Sequence, residues 1–425
     1  MGSFSVPKGR VFIVGAGLAG LSSAVFLTGK GLAVEVFEAA GQAGGRCRSF
    51  HDATLGCRID NGNHLLLSGN TAVAEYLRQI GAGDSLAGPR NASFPFYDVR
   101  TGSHWTVRPN RGWVPWWVFS KSRRVPGTRA GEYFRAAGLA RGKGQNTVAE
   151  ILDRGGDLYG KFWEPFALAV LNTAPEEAAA TLLWPVIRET FGRGEAAYRP
   201  RVAREGLSES FVEPALRHLA ARSGEVTFGR RLRALEFSDG RVATLDFGDV
   251  KTEVRHEDAV ILALPPSVCQ SLVRGLCVPD DFRPIVNVHF RVGGHADVSL
   301  ITGLIGGTAQ WVFVRGEIVS VTVSAARDLV EEEPERIAVR AWADVSRLLG
   351  SEGDPLPSYR VIKEKRATFA QTPEQAARRP GARTRWENLF LAGDWTATGL
   401  PATIEGAIRS GAAAAELAAD GCDQA

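Results

Sequence analysis

The run Gly15-Ala16-Gly17-Leu18-Ala19-Gly20 constrains this chain more than any other feature. It follows a short apolar stretch, Arg10 to Val14, and opens an amphipathic helical pattern, Leu18 to Lys30, with Leu21, Val25 and Leu27 on the apolar side. A second apolar stretch, Val34 to Phe37, ends at Glu38. Strand, glycine turn, helix and strand in that order begin a doubly wound parallel sheet. In the pattern G-x-G-x-x-G the first glycine permits the tight turn and the second lets main chain approach a diphosphate. The third lets helix lie close against strand, and the helix N-terminus faces the anion. An acid closing the second strand can take ribose hydroxyls. Gly15, Gly17, Gly20 and Glu38 are therefore candidate dinucleotide contacts.

A second glycine turn, Gly41-Gln42-Ala43-Gly44-Gly45-Arg46, comes directly after Glu38. The doublet Gly44-Gly45 again lets backbone pass close to a diphosphate, and Arg46 adds a cation with planar donors. A simple nicotinamide site has no need of this turn, so the pattern points to a flavin dinucleotide. The far end of the chain repeats the theme. Leu389-Phe390-Leu391-Ala392 reads as a strand closed by Gly393-Asp394, and a helix begins near Thr403. Asp394 can accept from a ribityl chain or ribose, and the helix start aims free N–H groups at a developing negative charge.

Other classes are excluded on composition. With 425 residues the chain exceeds the ~250–300 at which single cores stop growing, so two or more packed units are expected. Basic and acidic side chains number 50 and 47, a net charge of +3, which is no footprint of a nucleic-acid binder. Five cysteines without tight pairing make no disulfide framework and suit a reducing cytoplasm. No apolar run reaches the ~18 residues of a spanning helix, and Met1 to Arg10 lacks the pattern of a secretory signal. Cys47, His51, Cys57 and His64 match no zinc spacing, so no metal is expected, and there is no Gly-x-Ser-x-Gly elbow.

The elements alternate in character along the chain. Short strands are expected at Phe94–Tyr97 and Trp105–Val107, then helical segments from Gly131 to Arg193 broken by Pro165, Pro175 and Pro185. A hairpin is expected at Asp239-Gly240, a strand at Ala259–Leu264, strands from Ile285 to Val323, a helix at Pro334–Leu349, a strand at Tyr359–Thr368 and a helix at Thr403–Ala419. The expected fold class is α/β: a Rossmann-like nucleotide-binding domain of residues 1–75, 205–275 and 370–425, interleaved with a mixed α+β substrate domain of residues 76–204 and 276–369.

Together the glycine fingerprint, the Gly-Gly-Arg turn and the closing Gly-Asp…Thr-Ile-Glu-Gly resemble the flavin amine oxidase and carotenoid (phytoene) desaturase superfamily over most of the chain. The resemblance implies a two-domain FAD protein. Carried over position by position, it also implies cofactor contacts at Leu18, Ala19, Ala39, Asn61, Gly62, Val226, Thr403 and Ile404. Within the superfamily, Gly44 to Ser49, Gly56 to Asn70 and Lys363 to Ala370 look like the hydroxysqualene dehydroxylases, squalene-associated FAD enzymes of hopanoid synthesis. That likeness implies reductive loss of the hydroxyl of hydroxysqualene, giving squalene and water at the expense of reduced FAD, with an electron donor that the sequence does not identify. Two rivals stay open: an FAD-dependent polyisoprenoid desaturase, and a flavin-free prenyl-lipid carrier like the Rab GDP-dissociation inhibitors. The intact Gly44-Gly45-Arg46 and Gly393-Asp394 turns speak against the carrier.

Reductive dehydroxylation needs an acid for the leaving hydroxyl and exclusion of water from an allylic cation. Asp60-Asn61-Gly62-Asn63-His64 supplies candidates, and by resemblance it runs past the flavin ring. His64 is the first choice as proton donor or partner of the substrate hydroxyl, with a packed loop residue as the alternative, and Asp60 is expected to fix the loop. On a later strand Asn287, His289 and Arg291 alternate with Val286, Val288 and Phe290, so they share a face. His289 is a second candidate. Asn287 takes the place where amine oxidases often carry a lysine, a departure that counts against amine oxidation. Lys363, Lys365 and Arg366 read as a solvated face.

The compositional outlier is Trp113-Val114-Pro115-Trp116-Trp117-Val118-Phe119 with Lys121, Arg123, Arg124 and Arg129. Tryptophans beside cations suit a lipid headgroup layer. The same residues could instead line the helical insert or a substrate tunnel. Peripheral contact with the inner membrane through Trp113–Arg124 is the expectation drawn from them.

Overall fold

The computed structural model describes residues 9–152, 154–293 and 299–424. The stretch Met1 to Lys8, read above as lacking a signal, lies outside them. Strand β1 (Arg10–Val14), helix α1 (Leu18–Gly29) and strand β2 (Ala33–Glu38) form where the sequence places them. Strand β1 is central in a five-stranded sheet whose order is Glu225–Phe228, β2, β1, Ala259–Leu262 and Leu389–Leu391. All neighbours run parallel, and Val14 pairs with both Phe37 and Leu262, which in turn pairs with Leu391. This register brings Gly15, Glu38 and Ala392-Gly393-Asp394 to one edge, the carboxyl ends of the strands.

Helix α1 departs from the amphipathic expectation. Ser22, Ser23 and Thr28 are buried along with Leu21, Val25 and Leu27, because the C-terminal helix Ile404–Gln424 covers the face that would otherwise meet water. The hydroxyls are satisfied within the pair of helices: Ser22 Oγ donates to Ile408 O at 3.0 Å and Ser23 Oγ to Gly411 O at 2.8 Å. Close approach requires Gly411, where a Cβ would lie 2.2 Å from Ala19 O.

A second, seven-stranded sheet has the order Tyr359–Phe369, Phe282–Arg291, Ile318–Val323, Trp311–Arg315, Ile301–Ile305, Phe94–Asp98 and Ser103–Val107. Its alternation separates two faces. Val286, Val288, Phe290, Val319 and Val321 pack under the helix Pro334–Leu349 through Ile337, Ala341, Trp342 and Val345. Asn287, His289, Ser320 and Thr322 occupy the opposite face. On this strand Asn287 and His289 are buried, although Arg291 at its end is exposed.

The helical insert is held by aromatic side chains, with Phe162, Trp163, Phe166, Phe191 and Tyr198 in successive ring contacts. Pro185 does not break it as expected. It sits inside one helix, Ala180–Glu189, whose packing face of Leu182, Leu183 and Ile187 outweighs a single missing N–H. Asp239 and Gly240 adopt the left-handed conformations of the expected hairpin turn. None of the described helices is long and apolar enough to cross a membrane.

Candidate active site

The glycine turn is fixed by the chain itself at two positions. Gly15 has φ +106°, and a Cβ there would lie 2.4 Å from Ala263 O. At Gly20 a Cβ would lie 1.9 Å from Gly15 O, the close helix–strand contact that the fingerprint requires. Gly17 is different, for its φ is ordinary and an added Cβ would meet no atom of the chain within 4 Å. It precedes α1, which has no side-chain cap and no acid in its first turn, so Leu18 and Ala19 start a helix whose N-terminus carries no counter-charge of its own. The space above Gly17 and this uncapped end fit a diphosphate, and the residues present are those that a dinucleotide requires.

The second turn is stitched onto the first. Gly44 N–H donates to Ala16 O at 2.8 Å, and a Cβ on Gly45 would come within 3.4 Å of Gly17 Cα. Glu38 Oε2 accepts from Ala16 N–H and Oε1 from Ala40 N–H, each at 2.8 Å, so the acid braces both turns and Ala39 between them. Val226 pairs with Val36 on the neighbouring strand and so flanks the same edge.

The three distant motifs converge. Arg46 donates to Asp394 Oδ1 at 2.8 Å and also to Ala367 O. Asp394 is the main reason that the Arg46 guanidinium titrates even higher than usual. Thr403 caps the C-terminal helix, its Oγ1 accepting from Gly406 N–H at 3.1 Å, so that Ile404 begins the helix beside Gly393-Asp394. Sequence reasoning assigned no role to Glu405. Its buried carboxylate accepts from Ala72 N–H at 3.1 Å and Val73 N–H at 2.9 Å, capping the helix Thr71–Gln79, and pairs with Arg409 at 2.8 Å. An acid two places into a helix is an ordinary pattern, and nothing local marks it as the cap of another helix.

Between the two sheets lies the loop of His64. It leaves a hairpin, Ser49–Asp52 with Cys57–Asp60, that is pinned by arginines of the seven-stranded sheet: Arg291 donates to Leu55 O at 2.9 Å, and Arg360 pairs with Asp52 at 3.3 Å. Asp60 fixes the loop, as expected, by accepting from Leu207 N–H at 2.9 Å and Ser49 Oγ at 2.6 Å. It also pairs with Arg315 at 2.7 Å, a partner not foreseen. Asn61 is buried, its N–H donating to Arg48 O at 2.9 Å, and Gly62 packs on Asn287, whose Nδ2 would be 3.1 Å from a Cβ at Gly62.

His64 lines a cavity of about 30 Å³ with Asp60, Asn63, Arg315 and Ser320, closed by Leu207 and Phe313 among others. That volume suits a small molecule such as water. Asn287 and His289 are not among its lining residues. They stand behind it: Asn287 Oδ1 accepts from Thr322 Oγ1 at 2.8 Å, Asn63 Nδ2 donates to the same Thr322 oxygen at 3.0 Å, and His289 Nδ1 lies 2.7 Å from Ser320 Oγ. Ser320 and Thr322 escaped notice although they alternate with Val319, Val321 and Val323 just as Asn287 and His289 alternate with valines. Burial lowers both His64 and His289 to about 4, against the opposing pull of Asp60, so both imidazoles are neutral at pH 7.

Comparison with known proteins identifies the family and the fold. The family model for flavin containing amine oxidoreductases matches residues 18–419. A hydroxysqualene dehydroxylase of Sinorhizobium fredii is 46% identical over 97% of this chain and 99% of its own length. A probable zeta-carotene desaturase of Synechococcus elongatus is 23% identical over 96% of this chain and 98% of its own. Among solved structures, a putative protoporphyrinogen oxidase of Exiguobacterium sp. 255-15 shares the fold with a TM-score of 0.68 at 15% identity, covering 97% of this chain and 99% of that one. The chain belongs to the flavin containing amine oxidoreductase family and, within it, to the hydroxysqualene dehydroxylases.

Proposed function

We propose that this protein is an FAD-dependent oxidoreductase that replaces the hydroxyl of hydroxysqualene by hydrogen, giving squalene and water. One observation carries the reading: the chain is 46% identical to a hydroxysqualene dehydroxylase over 97% of its own length and 99% of that protein's. Reduced FAD, when bound, supplies a hydride to the allylic carbinol carbon. The remaining proton and the departure of water fall to this chain's own residues.

In this reading Gly15, Gly17, Gly20, Gly44, Gly45, Glu38 and Val226 hold the adenosine diphosphate half. Arg46, Asp394, Asn61, Gly62, Thr403 and Ile404 hold the flavin half. Residues 1–75, 205–275 and 370–425 then form the cofactor unit, and residues 76–204 and 276–369 the substrate unit. His64, in its protonated form, gives a ring proton to the departing hydroxyl, and the small cavity beside it receives the water formed. Asn287 and His289 orient the His64 loop and its cavity through Thr322, Asn63 and Ser320. The C30 chain needs far more room than this cavity, so only its carbinol segment sits beside His64 and the rest extends beyond. Such a substrate resides in a bilayer, and the reading includes contact of segment 113–124 with a membrane surface and an electron donor of unknown identity.

The test is anaerobic single turnover of the reduced enzyme with hydroxysqualene. Squalene and oxidised flavin are the expected products; a more unsaturated product formed by oxidised enzyme points to a desaturase instead. If the protonated form of His64 is the acid, the rate climbs as pH falls from 7 towards 4, because its burial-lowered pKa leaves little protonated form at neutrality. His64→Phe is expected to slow the step by about 10²-fold or more while flavin content stays normal. Unchanged turnover in that variant removes His64 from the reaction.

A further inference from the structure

The described residues include nine large apolar side chains that are exposed, and five of them, Trp113, Val114, Trp116, Phe119 and Phe134, fall within one short stretch of chain. Trp113 and Phe119 are 76% and 67% exposed. Phe119 and Phe134 lie 6.3 Å apart, so the face joins the tryptophan loop to the next helical segment. The loop is held from below. Buried Asn110 donates to Val114 O at 3.0 Å and accepts from Trp117 N–H at 3.0 Å, while Trp117 turns inward with its ring edge against Tyr133. The outward pose of the remaining rings is therefore part of a braced loop, and exposing them has a hydrophobic cost that some partner offsets.

Charge identifies that partner. Between Asp98 and Glu132 the sequence has seven arginines and lysines and no acid, more positive charge than the whole chain carries net. Arg111, Lys121 and Arg129 are exposed around the rings, and Arg123 lies over the Trp116 ring at 5.0 Å. Aromatic side chains beside cations are suited to the headgroup layer of a leaflet, where rings and charges are both accommodated. We infer that Trp113, Val114, Trp116, Phe119 and Phe134 form one docking face that inserts into a bilayer rich in anionic phospholipid. Trp117, Val118 and Arg124 are its internal support rather than its contact surface. This face deepens the proposed use of a lipid substrate and rests on that reading for its purpose, but its existence is read without any reaction.

Cosedimentation with vesicles of phosphatidylglycerol and phosphatidylcholine, against phosphatidylcholine alone, tests it on the whole protein. Wild type is expected to bind the anionic vesicles and to be released by salt. Trp113→Ser/Trp116→Ser/Phe119→Ser is expected to lose binding, and Lys121→Glu/Arg123→Glu/Arg129→Glu to lose about tenfold or more in affinity for the anionic vesicles. Both variants should melt close to wild type, since five of the six substituted side chains are exposed and Arg123 is half-buried. Equal binding by wild type and the first variant overturns the inference. So does light scattering that finds a wild-type dimer dissociated by that variant while no protein sediments with vesicles, which would make the face a contact between copies of this chain. Turnover of detergent-solubilised hydroxysqualene, measured separately, keeps the two readings apart: docking can fail while dehydroxylation persists, and the reverse.

Discussion

The two sheets position their functional groups by opposite means. On the five-stranded sheet the site is built from main chain: Gly15, Gly20 and Gly44 stand where any Cβ would come within 3 Å of backbone, and Glu38 acts by gripping backbone N–H groups. On the seven-stranded sheet it is built from side chains, with Asn287 on Thr322, His289 on Ser320 and Arg315 on Asp60. A backbone site tolerates almost no change where glycine is obligatory. A side-chain network gives way by degrees, because each bond is worth about 0.5–1.5 kcal/mol net.

The largest effect should therefore come from a single methyl group. Gly15→Ala forces a Cβ into Ala263 O at a φ that only glycine adopts freely, so a loss of about 3 kcal/mol or more is expected, or no folded protein at all. Thermal denaturation in the presence of excess FAD measures it. A near-normal melting temperature would mean that the turn relaxes, and that the cofactor side is less rigid than its contacts indicate.

Next in size is an acid-dependent effect from the seven-stranded sheet. His289 has a folded pKa of about 4 against 6.5 when unfolded, so the unfolded chain binds more protons between those values. Stability is full above pH 6.5 and falls as pH drops towards 4, by about 3 kcal/mol for this one residue. His289→Gln should flatten that slope by about one proton taken up on unfolding, whatever it does to stability at pH 7. An unaltered slope would show that His289 is solvated and outside the network.

This contrast also explains what the sequence reveals. Glycine at a fixed spacing after a strand has few structural causes, so the first turn, the Gly44-Gly45 doublet and the Asp239-Gly240 hairpin were readable, as was the helix Pro334–Leu349 from its apolar period. Arg315 and Ser320 carry no such mark. An arginine beside a turn and a serine between valines are ordinary, and their importance exists only once Asp60 and His289 are brought against them from 255 and 31 residues away. The burial of Ser22 and Ser23 was hidden for the same reason, since the helix that covers them lies nearly the whole chain length distant. Interactions across two elements leave no periodicity in either.

A smaller and purely side-chain effect lies at the seam between the sheets. Arg315→Met keeps the length and apolar stem but leaves buried Asp60 with only Ser49 and Leu207 as partners. The expected cost is about 2 kcal/mol, below that of a fully buried pair because Arg315 is part-exposed. The loop of His64 loses one of its tethers, so kcat should fall more than KM rises. Flavin content should hold, since no cofactor contact proposed here involves Arg315. A loss of flavin in this variant would show that the seam supports both sheets and that neither positions its groups independently of the other.

The smallest change in stability is expected at Gly17, and it separates the two causes of a glycine on the cofactor side. Its φ is −72° and a Cβ would meet nothing in the chain within 4 Å, so Gly17→Ala should leave the melting temperature of flavin-free protein within about 0.5 kcal/mol of wild type. The same methyl would occupy the space over the start of α1, where a diphosphate is proposed to lie, so FAD retention should drop sharply. Gly15→Ala and Gly17→Ala thus lie two residues apart yet should fail in different ways, the first in folding and the second in loading. Should Gly17→Ala retain its full flavin content, the glycine would owe its presence to neither the chain nor the cofactor, and the proposed seat of the diphosphate above α1 would have to be abandoned.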